Sequence, residues 1–147
     1  AYLKLERTHH ASHSFSVLWK QVLQFSESYE LLSKGCKYVS LTLDYPFITL
    51  EEQSRFMVGV TLPQSFKIPK GFGVYEVPAG EYAIFRFKGL YHELNRVYRY
   101  IYLDWLPAND YSLREPFTFE TYINTPEKTP VSELITDIYL PVKKKEI

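Results

Sequence analysis

Sulfur is almost missing from this chain: 147 residues contain one cysteine, Cys36, and one methionine, Met57. A lone cysteine excludes an internal disulfide and a thiolate-rich metal site, and it suits a reducing compartment such as the cytoplasm. Net charge is missing too, because 17 Lys and Arg balance 17 Asp and Glu. That balance gives no basic face for nucleic acid, and Lys143-Lys144-Lys145 reads as a solvated tail. No run approaches the roughly 18 apolar residues of a membrane span, and no signal-peptide pattern opens the chain. The first residue is Ala1 rather than Met, so a piece of a longer protein is expected.

The familiar catalytic signatures are also lacking. There is no Gly-x-Ser-x-Gly, no Walker loop, no dinucleotide fingerprint and no Cys/His metal spacing. His9-His10-x-x-His13 holds three of the four histidines but has no Cys or Asp beside it. It reads as a polar loop leading into a helix rather than a metal set. No cofactor and no metal are expected. Cys36 has no His nearby in sequence and reads as structural.

What the chain has in quantity is aromatic residues: 13 Tyr, 10 Phe and 2 Trp. So many tyrosines must bring hydroxyls close to the core, where each needs a partner or water. Two readings follow, a Tyr-rich sheet surface or a site that stacks planar or cationic ligands. With 46% hydrophobic and 23% charged residues the chain is globular, and its length fits one domain over residues 1–147.

Hydrophobic spacing gives the elements. Strands are predicted over 2–6, 38–43, 55–62, 73–77, 82–87, 117–123 and 134–140, from their alternation. Apolar residues at 15, 18, 19, 22 and 25 predict one helix. Leu90, Leu94, Val97, Ile101 and Trp105 predict a second, over 91–105.

This order repeats. Asp44-Tyr-Pro46 with Thr49 matches Asn124-Thr-Pro126 with Thr129 at a constant offset of 80 residues. With two residues fewer in the second hairpin, Pro63 matches Pro141. The chain therefore reads as α+β, two βαββ modules related by a pseudo-twofold, about 1–63 and 73–142, joined by a linker of about 64–72. The expected form is an antiparallel sheet with two helices on one side and a ligand groove on the other, where the halves meet. Val39, Leu41, Leu43, Phe117, Phe119, Thr121 and Ile123 are expected to pack on the helices. Ser40, Thr42, Met57, Thr118, Glu120, Tyr122, Asp137 and Tyr139 are expected on the opposite face.

Glu120 is the residue with the clearest chemical meaning, a carboxylate among aromatics. If ionised it attracts a lipophilic cation; if its proton is retained it can act as an acid or base; or it points to water. Tyr122, Tyr139, Met57 and Asp137 are candidate neighbours in the groove.

Taken together, Pro78-Ala-Gly-Glu-Tyr-Ala-Ile-Phe-Arg-Phe-Lys-Gly89, Trp105-Leu-Pro107, Phe119-Glu-x-Tyr122 and Ile138-Tyr-Leu-Pro141 resemble the gyrase-inhibitor-like small-molecule-binding domains. These are the effector-binding domains of many AraC-type and some MerR-type multidrug-sensing regulators, and they also occur as free-standing proteins. The resemblance covers nearly the whole chain, most clearly residues 74–142, and implies two βαββ modules. It also implies that Glu120 matches the acid contacting cationic ligands, and that Tyr122, Tyr139 and Trp105 line an aromatic groove. The opening helix departs from the family in lacking a Gly-Pro-Tyr-like turn before it.

The expectation is thus a ligand-sensing domain of a bacterial, cytoplasmic AraC-type regulator. Its partner would be a small molecule, with DNA reached only through an N-terminal helix-turn-helix module outside this sequence, and no membrane. Two alternatives are a small-molecule hydrolase using Glu120 as base, and a free-standing gyrase-inhibitor-like protein. Binding is preferred to turnover. The oligomeric state is not legible.

Overall fold

A computed structural model describes residues 2–8, 12–42, 56–63, 66–67, 73–115, 117–126 and 128–145. The chain forms two compact units, Ala1–Ala79 and Gly80–Ile147. Each holds a strand, a helical segment and further antiparallel strands, so the architecture is α+β and built from two βαββ units. The turn predicted at Asp44-Tyr-Pro46, Thr49, and most of the linker lie outside the described residues, as do His9 and His10.

In the first unit β1 (Tyr2–Thr8) pairs antiparallel with both β3 (Phe56–Thr61) and β4 (Gly73–Glu76). β2 (Tyr38–Thr42) completes the order β4-β1-β3-β2 by pairing with β3. β4, counted with the second module on sequence, therefore belongs to the ladder of the first. α1 (Ser12–Ser28) lies against β1 and β3, burying Val22 and Phe25 three residues apart on one face. Trp19 of α1 meets the Tyr38 ring edge-on, 6.1 Å between centroids.

The second unit is built around its last strand. β8 (Ile135–Lys144) pairs with β5 (Tyr82–Lys88) on one side and β7 (Thr118–Tyr122) on the other. Between β5 and β7 the chain coils through a 3₁₀ turn, Tyr91–Glu93, into α2 (Leu94–Arg99). It then passes a π-helical stretch, Tyr100–Trp105, into α3 (Leu106–Ala108). Gly89 opens this segment with φ +148°, and its N–H donates to the Leu134 carbonyl at 2.8 Å. A Cβ there would stand 3.0 Å from the Phe87 ring, so the turn needs glycine on both counts.

Leu94 and Ile101 pack against Ile138, Leu140 and Val142, with Phe85, Phe87 and Trp105 around them. A fully buried Leu or Ile contributes roughly 1.5–3 kcal/mol over leaving it in water, so this cluster fixes the helix on one face of the strands.

The sequence reading ends the last strand near Pro141, but β8 runs on to Lys144. Proline lacks an N–H yet keeps its carbonyl, and that of Pro141 accepts from the Arg114 N–H at 3.1 Å. The partner beyond it is β6 (Tyr111–Leu113), a three-residue strand that pairs Leu113 with Val142 and Tyr111 with Lys144. Three residues are too few for alternation to announce a strand.

The largest correction concerns which way two strands face. Residues opposite each other in an antiparallel ladder share a face. Phe85, Ile138 and Glu120 lie in one such row, and Ile138 is covered by the helical segment. Glu120, Thr118 and Tyr122 are therefore on the helix side, and Phe119 and Thr121 are on the other, the reverse of the expectation. In the first unit Tyr38, which meets α1, shares its face with Ser40 and Thr42, so Val39 and Leu41 are also reversed. β3 and β8 keep their expected phase. Both faces of β2 bury apolar residues, Tyr38 on one and Val39 and Leu41 on the other, so hydrophobicity alone cannot choose between them.

Candidate functional site

Glu120 sits mid-strand on β7, half-buried, under the helical segment. Tyr122 stands two residues on, hence on the same face, and its hydroxyl donates to Glu120 Oε2 at 2.6 Å. Tyr98 comes down from α2 and donates to Oε1 at 2.7 Å. Both carboxylate oxygens thus accept a phenol, one from the strand and one from the helix. Such charge-assisted bonds are short and about twice as strong as neutral ones.

Tyr91, from the 3₁₀ turn, meets the Tyr122 ring edge-on at 5.5 Å. Burial pushes the Tyr98 hydroxyl well above its ordinary range, and the charge of Glu120 and the bond to it add to the effect. Burial first and then the same carboxylate raise Tyr91 as well. Tyr91 and Tyr98 therefore stay protonated at neutral pH, and with Tyr122 they ring the carboxyl group of Glu120 with aromatic faces. A carboxyl group ringed by aromatic faces suits an organic cation, by charge and by ring faces.

Of the residues singled out on sequence, only Glu120 and Tyr122 come together. Trp105 shares their face but sits at its other side, stacked on Tyr111 at 5.9 Å and edge-on to Phe85 at 4.9 Å. Ile138 stands in the row between Phe85 and Glu120.

Asp137 and Tyr139 point to the opposite face. Asp137 is buried, and both its oxygens accept from Arg86, at 2.8 and 3.0 Å. Tyr139 stacks on Phe119 at 4.4 Å, with Tyr82 edge-on to both. Met57 is buried in β3 of the first unit.

Sequence reasoning missed Tyr98 and Tyr91. Tyr98 lies four residues after Leu94 and next to Val97, so the helical spacing did place it on the inner stripe. It was passed over because the stripe was drawn through aliphatic residues and Trp105. Among the described residues no group of His, Cys, Asp and Glu could hold a metal ion, and no helix is long and apolar enough to cross a membrane.

Comparison with known proteins bears on this arrangement. A curated DNA gyrase inhibitor of Serratia proteamaculans (strain 568) is 33% identical over 112 residues, 74% of this chain and 70% of that protein. The C-terminal domain of EcmrR superposes with a TM-score of 0.75 at 20% identity, over 97% of this chain and 91% of that one. In a complex of EcmrR with DNA the TM-score is 0.70 at 21% identity, again over 97% of this chain, which there spans only 54% of the EcmrR chain. SAV2435 bound to tetraphenylphosphonium superposes at 0.61, with 15% identity, 97% of this chain and 90% of that one. At these identities the structural matches speak for the fold. The family model described as GyrI-like small molecule binding domain matches residues 1–143, and with it the chain belongs to the GyrI-like small-molecule-binding domains.

Proposed function

We propose that this chain is the ligand-sensing domain of a bacterial AraC-type transcriptional regulator and that it binds a lipophilic organic cation at Glu120. One observation carries the reading: a half-buried carboxylate held at both oxygens by Tyr98 and Tyr122, with Tyr91 beside them. We place the cation at Glu120 and not at Asp137, because the charge of Asp137 is already matched by Arg86. The fold shared with the EcmrR C-terminal domain supports a regulatory role. DNA contact would belong to an N-terminal helix-turn-helix module outside this sequence, in the cytoplasm. The ligand would act through its differential affinity for two states of that longer protein.

Tetraphenylphosphonium is a suitable probe in a thermal-shift titration. Selective binding to the folded chain at 100 times Kd stabilises it by roughly 2.7 kcal/mol. The Glu120→Gln variant, similar in shape and uncharged, is expected to lose the shift. Equal shifts in both proteins, or none in either, would sink the proposal.

A second reading rests on the Serratia relative, namely that the chain acts on DNA gyrase as a free-standing protein. A supercoiling assay with the isolated chain separates the two. Inhibition that tetraphenylphosphonium does not affect would favour this second reading.

A further inference from the structure

The two units differ at the strand that opens each of them. In the first, β1 pairs with β3 along one edge and takes β4, antiparallel, along the other. In the second, β5 holds the place of β1, paired with β8, and among the described residues no strand pairs with its other edge. The duplication thus shows what this edge accommodates, an antiparallel strand, and the second unit leaves the place open. The backbone agrees. The Val142 N–H donates to the Glu81 carbonyl at 3.1 Å and the Gly89 N–H to the Leu134 carbonyl at 2.8 Å, so the odd-numbered residues of β5 direct their peptide groups at β8. Ile84, Arg86 and Lys88 direct theirs outward. The strand is seven residues long, holds no proline and pairs with β8 without a bulge, so it lacks most of the devices that blunt an edge. At its centre Ile84 is 56% exposed. Charge is the remaining guard, and Arg86 has its charge matched by Asp137 at 2.8 and 3.0 Å.

We infer that β5 is a dimerisation edge, where two copies of this chain join β5 to β5, antiparallel, about a twofold axis at Phe85. The strand's own sequence selects a second copy as the occupant, because it is complementary to itself in this register. Ile84 falls opposite Arg86 of the copy and Tyr82 opposite Lys88, so no charge faces its like. The aliphatic stem of Arg86 then covers the exposed Ile84, and the Lys88 ammonium reaches a tyrosine ring. The peptide groups fit the same register, since Ile84 and Arg86 both direct theirs outward and become a hydrogen-bonded pair. An axis at Arg86 instead would set two guanidinium groups against each other. A contact of this kind is isologous, so it closes as a dimer and leaves no edge to propagate.

The test is sedimentation velocity of the intact chain over about 1–100 μM, with hydrogen exchange read at the dilute and concentrated ends. The chain is expected to pass from monomer to dimer, and the Ile84, Arg86 and Lys88 amides to exchange at least about tenfold more slowly in the dimer. Ile84→Pro removes an outward N–H and leaves the ladder with β8 intact, because proline is tolerated where an edge strand's N–H faces away from the sheet. Ile84→Lys sets a second cation opposite Arg86. Each variant should weaken the dimer at least about tenfold, since the loss occurs in both copies. A chain that stays monomeric throughout overturns the inference. So does a dimer that both variants leave unchanged, or one in which these three amides exchange as fast as in the monomer. Should Ile84→Pro fail to fold, Ile84→Lys, at an exposed position, decides the matter alone.

Discussion

Removing the Tyr98 hydroxyl should cost stability even with no ligand present, because that hydroxyl ties α2 to β7. The bond is 2.7 Å long and its acceptor is a carboxylate, and bonds to charged groups contribute roughly 1.5–3 kcal/mol. Glu120 is only half-buried, so water can replace part of what is lost, and we expect about 1.5 kcal/mol for Tyr98→Phe. With a urea m-value of about 1.5 kcal/mol/M, the midpoint should fall by about 1 M. The chain has two tryptophans, Trp19 in the first unit and Trp105 in the second, so a Trp19→Phe background makes fluorescence report on the second unit alone. A double-mutant cycle of Tyr98→Phe with Glu120→Ala then isolates the pair from the general loss of packing. Coupling near 1–1.5 kcal/mol is the expected outcome. Coupling below about 0.5 kcal/mol would refute the argument that a helix-to-strand hydrogen bond holds the carboxylate in place.

Two further outcomes follow from the same structure. The Tyr98 hydroxyl is raised above the ordinary value of 10.0, so the folded chain holds that proton more tightly than the unfolded chain does. Its stabilisation is complete below about pH 10 and is lost as pH rises from there through the folded value; the stability gap between wild type and Tyr98→Phe should shrink only above about pH 10, and a gap that shrinks between about pH 7 and 9 would contradict the assignment. Gly80 has φ +145°, and a Cβ on it would stand 2.6 Å from the Arg114 guanidinium, which bonds the Glu81 carbonyl and lies 5.0 Å over the Tyr82 ring. Gly80→Ala is therefore expected to destabilise by roughly 1–3 kcal/mol in urea unfolding, and a loss under about 0.5 kcal/mol would mean that the turn relaxes freely.

The fold was more legible in the sequence than the site. The α+β class and the strands of both modules showed through alternation, and both helices showed through their apolar stripes, because these signals are local and repeat at fixed spacing. Glu120 and Tyr122 were found because two residues along a strand return to the same face. Their partner Tyr98 was not found, since it is 22 residues away on another element and only the docking of α2 on Ile138 brings it near. Asp137 shows the opposite error. On sequence it is an acid on a candidate groove face, and in the fold it is the buried partner of Arg86, 51 residues distant. β6 was missed because its pairing with the end of β8 is non-local and too short to leave a pattern.

The sequence by itself determined the elements, their repetition and the presence of a carboxylate among aromatics, because each depends on residues close together in the chain. Tertiary structure alone decided which face of β7 meets the helix, and that choice governs the site. Thr-Phe-Glu-Thr-Tyr offers an aromatic on either face, so alternation leaves the phase of the strand ambiguous. The ladder with β8, whose Ile138 lies beneath Leu94 and Ile101, settles it and turns Glu120 toward Tyr98.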